Sequence, residues 1–159
     1  MKISVFGLGY VGTVSTACLA EMGHSVVGVD VQEAKVQAIR YGRCLLIEPE
    51  LPELVAAAVK QGRLMATSNA WEAVENTEIS LVCVGTPSKR SGAIQLDHIE
   101  SVCRQIGAAL THKQGHVVAI RSTLLPGTVQ SKIIPILEAA SGKKAGLDFG
   151  VCTNPEFLR

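Results

Sequence analysis

Aromatic side chains make up only 4% of this 159-residue chain, too few to furnish stacking platforms for the bases of a nucleic acid. Charge of one sign is lacking too: fifteen Lys and Arg offset fourteen Asp and Glu with no long run of either, so any polyanionic partner has to be held locally. Long apolar runs are missing. Met1 and Lys2 lead into a short apolar stretch interrupted by Gly7, Gly9 and Gly12, which is neither a signal-peptide core nor a membrane span. The five cysteines, Cys18, Cys44, Cys83, Cys103 and Cys152, are odd in number and never spaced C-x-x-C, which argues against a disulfide framework and a zinc site and favours a reducing cytoplasm.

What remains is a chain of 47% hydrophobic and 18% charged residues, the composition of one globular domain. Its elements alternate. Ile3 to Phe6 reads as a buried strand ending in glycine, Tyr10 to Met22 as a helix stopped by Gly23, Ser25 to Val29 as a second strand, and Glu33 to Ile39 as a helix closed by Gly42. An alanine-rich helix from Glu53 to Lys60 follows a stretch punctuated by Pro49 and Pro52. Then come a strand at Leu64 to Thr67, a helix holding Trp71 capped by Ser68 or Asn69, and a strand at Ile79 to Val84 that is apolar except for Ser80. A polar loop over Ser88 to Gly92 leads to a helix capped by Asp97. Beyond it lie a strand at His116 to Ile120, a helix from near Pro126 through Leu137 that Pro135 kinks near its end, and a last strand at Leu147 to Cys152.

Strands alternating with helices require a parallel sheet covered on both faces, because each parallel pair needs a right-handed crossover. The expected architecture is the doubly wound, Rossmann-type dinucleotide-binding fold with strand order 3-2-1-4-5-6.

Gly7-Leu8-Gly9-Tyr10-Val11-Gly12 matches G-x-G-x-x-G, a weak signal alone. Here it follows a strand, opens a helix, and precedes Asp30 at the end of the next strand by eighteen residues, which is the layout of a dinucleotide site. Gly7 permits the turn, Gly9 lets a pyrophosphate approach the backbone, Gly12 lets helix and strand pack closely, and the helix N-terminus offers free N–H groups. Asp30 is expected to bind ribose hydroxyls and repel the extra phosphate of NADP, so NAD is the expected cofactor; its structural alternative is a helix N-cap. Polar segments at other strand ends are further candidates: Gly85-Thr86-Pro87, Arg121-Ser122-Thr123 with Pro126-Gly127-Thr128, and Asn154-Pro155-Glu156.

These residues carry a resemblance. FGLGYVG at Phe6 to Gly12, VGTP at Val84 to Pro87, RSTLLPGT at Arg121 to Thr128 and TNPEFLR at Thr153 to Arg159 together resemble the N-terminal domain of the UDP-glucose and GDP-mannose dehydrogenase family. GTPSK at Gly85 to Lys89 and SGKKAGLDFG at Ser141 to Gly150 resemble its GDP-mannose branch more than its UDP-glucose branch. The resemblance implies oxidation of a nucleotide-sugar, GDP-mannose before UDP-glucose, from the C6 alcohol to the carboxylate in two NAD-dependent steps. It implies that Gly7, Gly9, Tyr10, Val11, Gly12, Asp30 and Lys35 hold the adenosine and pyrophosphate, with Thr86 and Thr123 along the cofactor towards its nicotinamide. It also implies that Glu156 acts near the reacting carbon, with Thr123 helping to position a water, and that Phe157, Leu158 and Arg159 begin the sugar-nucleotide site. Glu156 has the alternative of a cap or an ion-pair partner.

The family's second oxidation uses a cysteine in a Gly-Gly-Ser-Cys segment, which this sequence lacks, along with the interdomain helix and dimerising region that follow TNPEFLR. The expectation is a shortened chain, inactive alone, from a homodimeric enzyme. No nucleophile is assigned: Cys18, Cys83, Cys103 and Cys152 read as small buried hydrophobes and Cys44 as a loop residue. Trp71 reads as a core or helix-packing residue, Lys143 and Lys144 as a solvated turn, and His112 and His116 as surface histidines; no metal is expected. Two other readings share the glycine fingerprint: a β-hydroxyacid-type dehydrogenase, not expected to carry the NPEF segment, and an NAD-sensing module without redox chemistry.

Overall fold

A computed structural model of the chain describes residues 1–87 and 94–156. Six strands, β1 Lys2–Phe6, β2 Ser25–Val29, β3 Leu64–Thr67, β4 Ile79–Val82, β5 His116–Ile120 and β6 Phe149–Thr153, form one sheet in the order β3-β2-β1-β4-β5-β6 with every pairing parallel. The helices are α1 Tyr10–Glu21, α2 Glu33–Arg40, α3 Leu51–Lys60, α4 Ala70–Glu75, α5 Asp97–Leu110 and α6 Ile134–Ser141. This is the doubly wound fold that the alternation requires.

Alternate residues of each strand go to opposite faces, and both faces are apolar. Ile3, Val5, Val26 and Leu64 pack with Val36, Ile39 and Val55 of α2 and α3, while Phe6, Val29, Val82 and Ile120 pack with Ile99, Ile106 and Leu137 of α5 and α6. Phe6 pairs with Val29 on one side and Val82 on the other, so the strands flanking the point where the strand order reverses end level.

Several elements differ from expectation. The strand expected to run to Val84 stops at Val82, since the chain turns there to form the site. Asp97 is the first residue of α5, not its cap; its carboxylate accepts from Gln95 Nε2 at 2.8 Å. Asn69 does cap α4, accepting from Glu72 N at 3.2 Å. α3 starts at Leu51, with Pro52 inside its first turn, where a missing N–H costs nothing. Pro135 kinks no helix end. It sits near the start of α6, and the preceding turn, Val129–Ile133, is π-helical, opening where the proline ring meets the turn before it. The helix then runs to Ser141 and closes on Gly142 in the left-handed conformation.

The polar residues inside the strands account for themselves. Ser80 and Ser4 hydroxyls lie 2.8 Å apart, and Ser80 Oγ lies 2.8 Å from His116 Nε2. His116 Nδ1 lies 3.2 Å from the Thr77 carbonyl, which can only accept. His116 therefore carries its proton on Nδ1 and takes the Ser80 proton at Nε2. The histidine is completely buried, not on the surface, because both ring nitrogens find polar partners inside, at Ser80 and at the Thr77 carbonyl. His112 is exposed and meets Trp71 edge-on at 6.1 Å between ring centroids. Trp71 is thus a half-exposed packing residue and no part of the core.

Cys103 is buried, but Cys18 and Cys152 are exposed, contrary to their hydrophobic reading, since each points outward from its element. Lys143 and Lys144 are tied down, to the Lys113 carbonyl and the Glu138 carboxylate respectively. Among the described residues no helix is long and apolar enough to cross a membrane. The polar loop expected over Ser88 to Gly92 and the residues Phe157, Leu158 and Arg159 lie outside the described residues.

Candidate functional site

The carboxyl ends of β1, β2, β4 and β5 border two cavities that share Cys83, Val84 and Gly85. The first, about 350 Å³, is lined by Gly7, Gly9, Asp30, Gln32 and Lys35 on one side and His98, Ser101 and Gln105 of α5 on the other. The second, about 300 Å³, is lined by Val11, Arg121, Ser122, Thr123 and Glu156. Together they form one crevice across the switch point, the place where ligands bind on such sheets.

Each glycine of the opening turn has its own reason. Gly7 has φ +97°, where a side chain is strained, and its missing Cβ would stand 3.0 Å from Val84. A Cβ on Gly12 would lie 1.7 Å from the Gly7 carbonyl oxygen, so the contact Gly12 allows is with the turn itself, more than with the strand. A Cβ on Gly9 would meet no protein atom within 4 Å. Nothing in the fold demands glycine there; the space it leaves opens into the first cavity. Gly9 is also the N-cap of α1 and offers no side-chain acceptor, and the first turn carries no acidic group. The leading N–H groups of α1 therefore keep their positive end of the dipole for an anion.

Asp30 is buried at the lip of the same cavity. Its Oδ2 accepts from Leu8 N at 2.7 Å and from Lys35 Nζ at 3.3 Å, and its Oδ1 accepts from Gln32 N at 2.9 Å. It caps no helix: the residue before α2 is Gln32. A carboxylate has room for about four acceptor contacts, so one position remains for a ribose hydroxyl. Asp30 also holds the glycine turn through Leu8. Lys35 belongs to this ion pair and is half-buried.

Tyr10 stands at the outer edge, 45% exposed, and its hydroxyl donates to Glu48 at 2.9 Å. That bond, with the Glu48 charge, raises the phenol above its usual pKa. Val11 faces the second cavity.

At the other end, three strand termini are stitched in series. Thr86 Oγ1 donates to the Thr123 carbonyl and Thr123 Oγ1 donates to the Glu156 carbonyl, each at 3.1 Å. The Glu156 carboxylate pairs with the Arg121 guanidinium, which also donates to Asn154 Oδ1. The ion-pair alternative for Glu156 is therefore realised, in the cavity wall itself. Burial pushes the Cys83 thiol up to about 12, the Arg121 cation opposing and the Glu156 anion adding to the shift. It is a neutral thiol at pH 7, which agrees with assigning no nucleophile.

The fold thus brings together Gly7, Gly9, Asp30 and Lys35 around one cavity and Val11, Thr123 and Glu156 around the other, with Gly12 behind the turn against the Gly7 carbonyl, Thr86 tied to Thr123 and Tyr10 at the outer edge. Sequence reasoning gave no role to Arg121, although the segment holding it was singled out, nor to His98, Ser101 and Gln105. Nothing in one sequence says that the outer face of α5 closes over the end of β1.

Comparisons with known proteins fit this geometry. The model of the UDP-glucose/GDP-mannose dehydrogenase family, NAD binding domain, matches residues 1–159. A GDP-mannose 6-dehydrogenase of Azotobacter vinelandii is 59% identical over 160 residues, covering all of this chain and 37% of the relative. A UDP-glucose 6-dehydrogenase of Haloferax volcanii is 38% identical over the whole chain and 37% of its own length. The solved ternary complex of GDP-mannose dehydrogenase from Pseudomonas aeruginosa superposes with a TM-score of 0.98 at 51% identity, covering 100% of this chain and 37% of that one. The chain therefore spans little more than a third of the length of the relatives it matches.

Proposed function

The chain belongs to the UDP-glucose/GDP-mannose dehydrogenase family, whose NAD binding domain it matches from end to end, and on that premise we propose that it is the NAD-binding domain of a longer nucleotide-sugar 6-dehydrogenase that oxidises GDP-mannose. The observation that carries this reading is Gly9: a glycine that the fold does not need, at the mouth of an uncapped helix, opening into a cavity whose lip is the Asp30 carboxylate. The preference for GDP-mannose rests on relatives at 51–59% identity that bear that name, against 38% for those named for UDP-glucose.

In this reading the first N–H groups of α1, at Gly9, Tyr10, Val11 and Gly12, face the diphosphate. Asp30 accepts a ribose hydroxyl, and Lys35 keeps the carboxylate in place. Thr86 and Thr123 line the way to the nicotinamide, which when bound takes a hydride from the sugar carbon. The alcohol must also lose a proton, and Glu156 with Thr123 holds the water that receives it. Phe157, Leu158 and Arg159 start the segment that meets the sugar-nucleotide. The thiol for the second oxidation, most sugar contacts and the homodimer contacts come from the remainder of the longer protein. Five free cysteines suit a reducing cytoplasm.

Calorimetry on this chain should give NAD binding well above NADP binding, and Asp30→Ala should lose NAD affinity while also costing about 1–3 kcal/mol of stability, because Leu8 N–H is left buried without an acceptor. Undiminished NAD affinity in Asp30→Ala would refute the ribose contact. This chain alone should reduce no NAD with GDP-mannose, and the longer protein should prefer GDP-mannose to UDP-glucose; the reverse preference moves the assignment to the other branch.

A further inference from the structure

We infer that Arg121 is the positioning residue for Glu156, fixing which oxygen of its carboxylate faces the reacting centre. The inference rests on the reading of Glu156 given above.

Glu156 is held at three points, all from the end of β5. Its N–H donates to the Arg121 carbonyl at 3.3 Å, its carbonyl accepts from Thr123 Oγ1 at 3.1 Å, and its Oε2 accepts from the Arg121 guanidinium. Oε1 has no hydrogen-bond donor among the described residues. One carboxylate oxygen is thus committed and the other left as an acceptor in the wall of the second cavity. A carboxylate with one oxygen pinned presents the other over a narrow range of directions, which is what holding a proton-accepting water against a fixed alcohol needs.

Arg121 is itself immobilised. Its main-chain N–H donates to the Val82 carbonyl at 2.9 Å, tying it to β4, and its guanidinium forks, one terminal nitrogen to Glu156 and the other to Asn154 beyond β6. A planar group with two terminal nitrogens in fixed directions meets both partners in a set geometry; an ammonium, with its rotatable donors on a single nitrogen, does not reproduce that spacing. The side chains of Arg121 and Glu156 are only 24% and 30% exposed, so water competes for the pair less than it does on an open surface. Through Thr123, the same strand end reaches Thr86, so the acceptor's place is set relative to the nicotinamide side of the crevice.

The test is a double-substitution cycle in the longer dehydrogenase, with circular dichroism and thermal melts to verify folding. Arg121→Ala should lower kcat roughly 100-fold, the scale of a misplaced reacting group, while NAD affinity stays within about threefold. In a Glu156→Gln background Arg121→Ala should cause no further loss. Millimolar guanidinium should restore part of the turnover of Arg121→Ala and none of that of Glu156→Gln, which a merely structural role would not produce. Arg121→Lys should be impaired too, and it decides the matter if Arg121→Ala does not fold. The inference is overturned if Arg121 variants keep full turnover while Glu156→Gln is impaired, or if they lose the same factor in both backgrounds. If Glu156→Gln turns over normally, the Glu156 reading itself falls, and this inference with it.

Discussion

Lowering the pH should unlatch the base of the sheet through His116, and the size of the effect follows from its surroundings. The imidazole is completely buried between Ser80 Oγ and the Thr77 carbonyl, and burial, with the nearby Lys113 charge, lowers its pKa to about 4 from the ordinary 6.5, the Thr77 hydrogen bond opposing. A second proton would land on Nε2, which faces the Ser80 hydroxyl. That hydroxyl would have to turn its own hydrogen away, towards Ser4, and disturb the chain of donors behind it.

Between the two pKa values the unfolded chain binds the proton and the folded one does not, so stability rises with pH across that window. The contribution is fully present above about 6.5 and is lost as pH falls towards 4. From pH 7.5 to 4.5 the unfolded histidine gains nearly one proton and the folded one about a quarter. At roughly 1.4 kcal/mol per pKa unit this amounts to about 2.5 kcal/mol. Urea melts of the wild type and His116→Gln at both pH values isolate it, because other titrating groups contribute equally to both proteins and cancel. The variant should lose less stability on acidification by about 2–3 kcal/mol, although it starts less stable. Equal losses would show that His116 is not the group responsible.

Gly9→Ala should leave the melting temperature nearly unchanged, since its Cβ meets no protein atom within 4 Å, and should still weaken NAD binding at least tenfold; retained affinity would remove the diphosphate from that turn. Gly12→Ala, whose Cβ would lie 1.7 Å from the Gly7 carbonyl oxygen, should instead lower stability by about 1–3 kcal/mol along with affinity, measured by the same melts and titrations. Glu50 precedes α3 at φ +64°, the one described non-glycine residue with a positive φ. Glu50→Gly should stabilise the chain by roughly 0.5–1 kcal/mol, the relief of left-handed strain exceeding glycine's entropy; a fall in melting temperature would contradict this.

Composition and spacing alone decided what is local and periodic. β2, β3 and β5 run between the expected residues, because four- and five-residue apolar runs bounded by turns leave little freedom. The strand order followed from alternation and handedness, and the crevice proposed for the cofactor was marked by three glycines and one acid at fixed spacing: Gly7 and Gly12 meet requirements of the turn, Gly9 leaves open space, and Asp30 holds the turn through Leu8. Where a polar side chain's partners were missed, the deciding neighbour was distant in sequence. His116 is buried because Ser80 and Thr77 await it, thirty-six and thirty-nine residues earlier. Asp30 braces the glycine turn through an amide twenty-two residues before it. Arg121 became meaningful only once β6 set Asn154 and Glu156 beside β5. Spacing along the chain records the needs of the backbone at each position, whereas a charge or a hydrogen-bonding group takes its role from whatever the finished sheet lays against it.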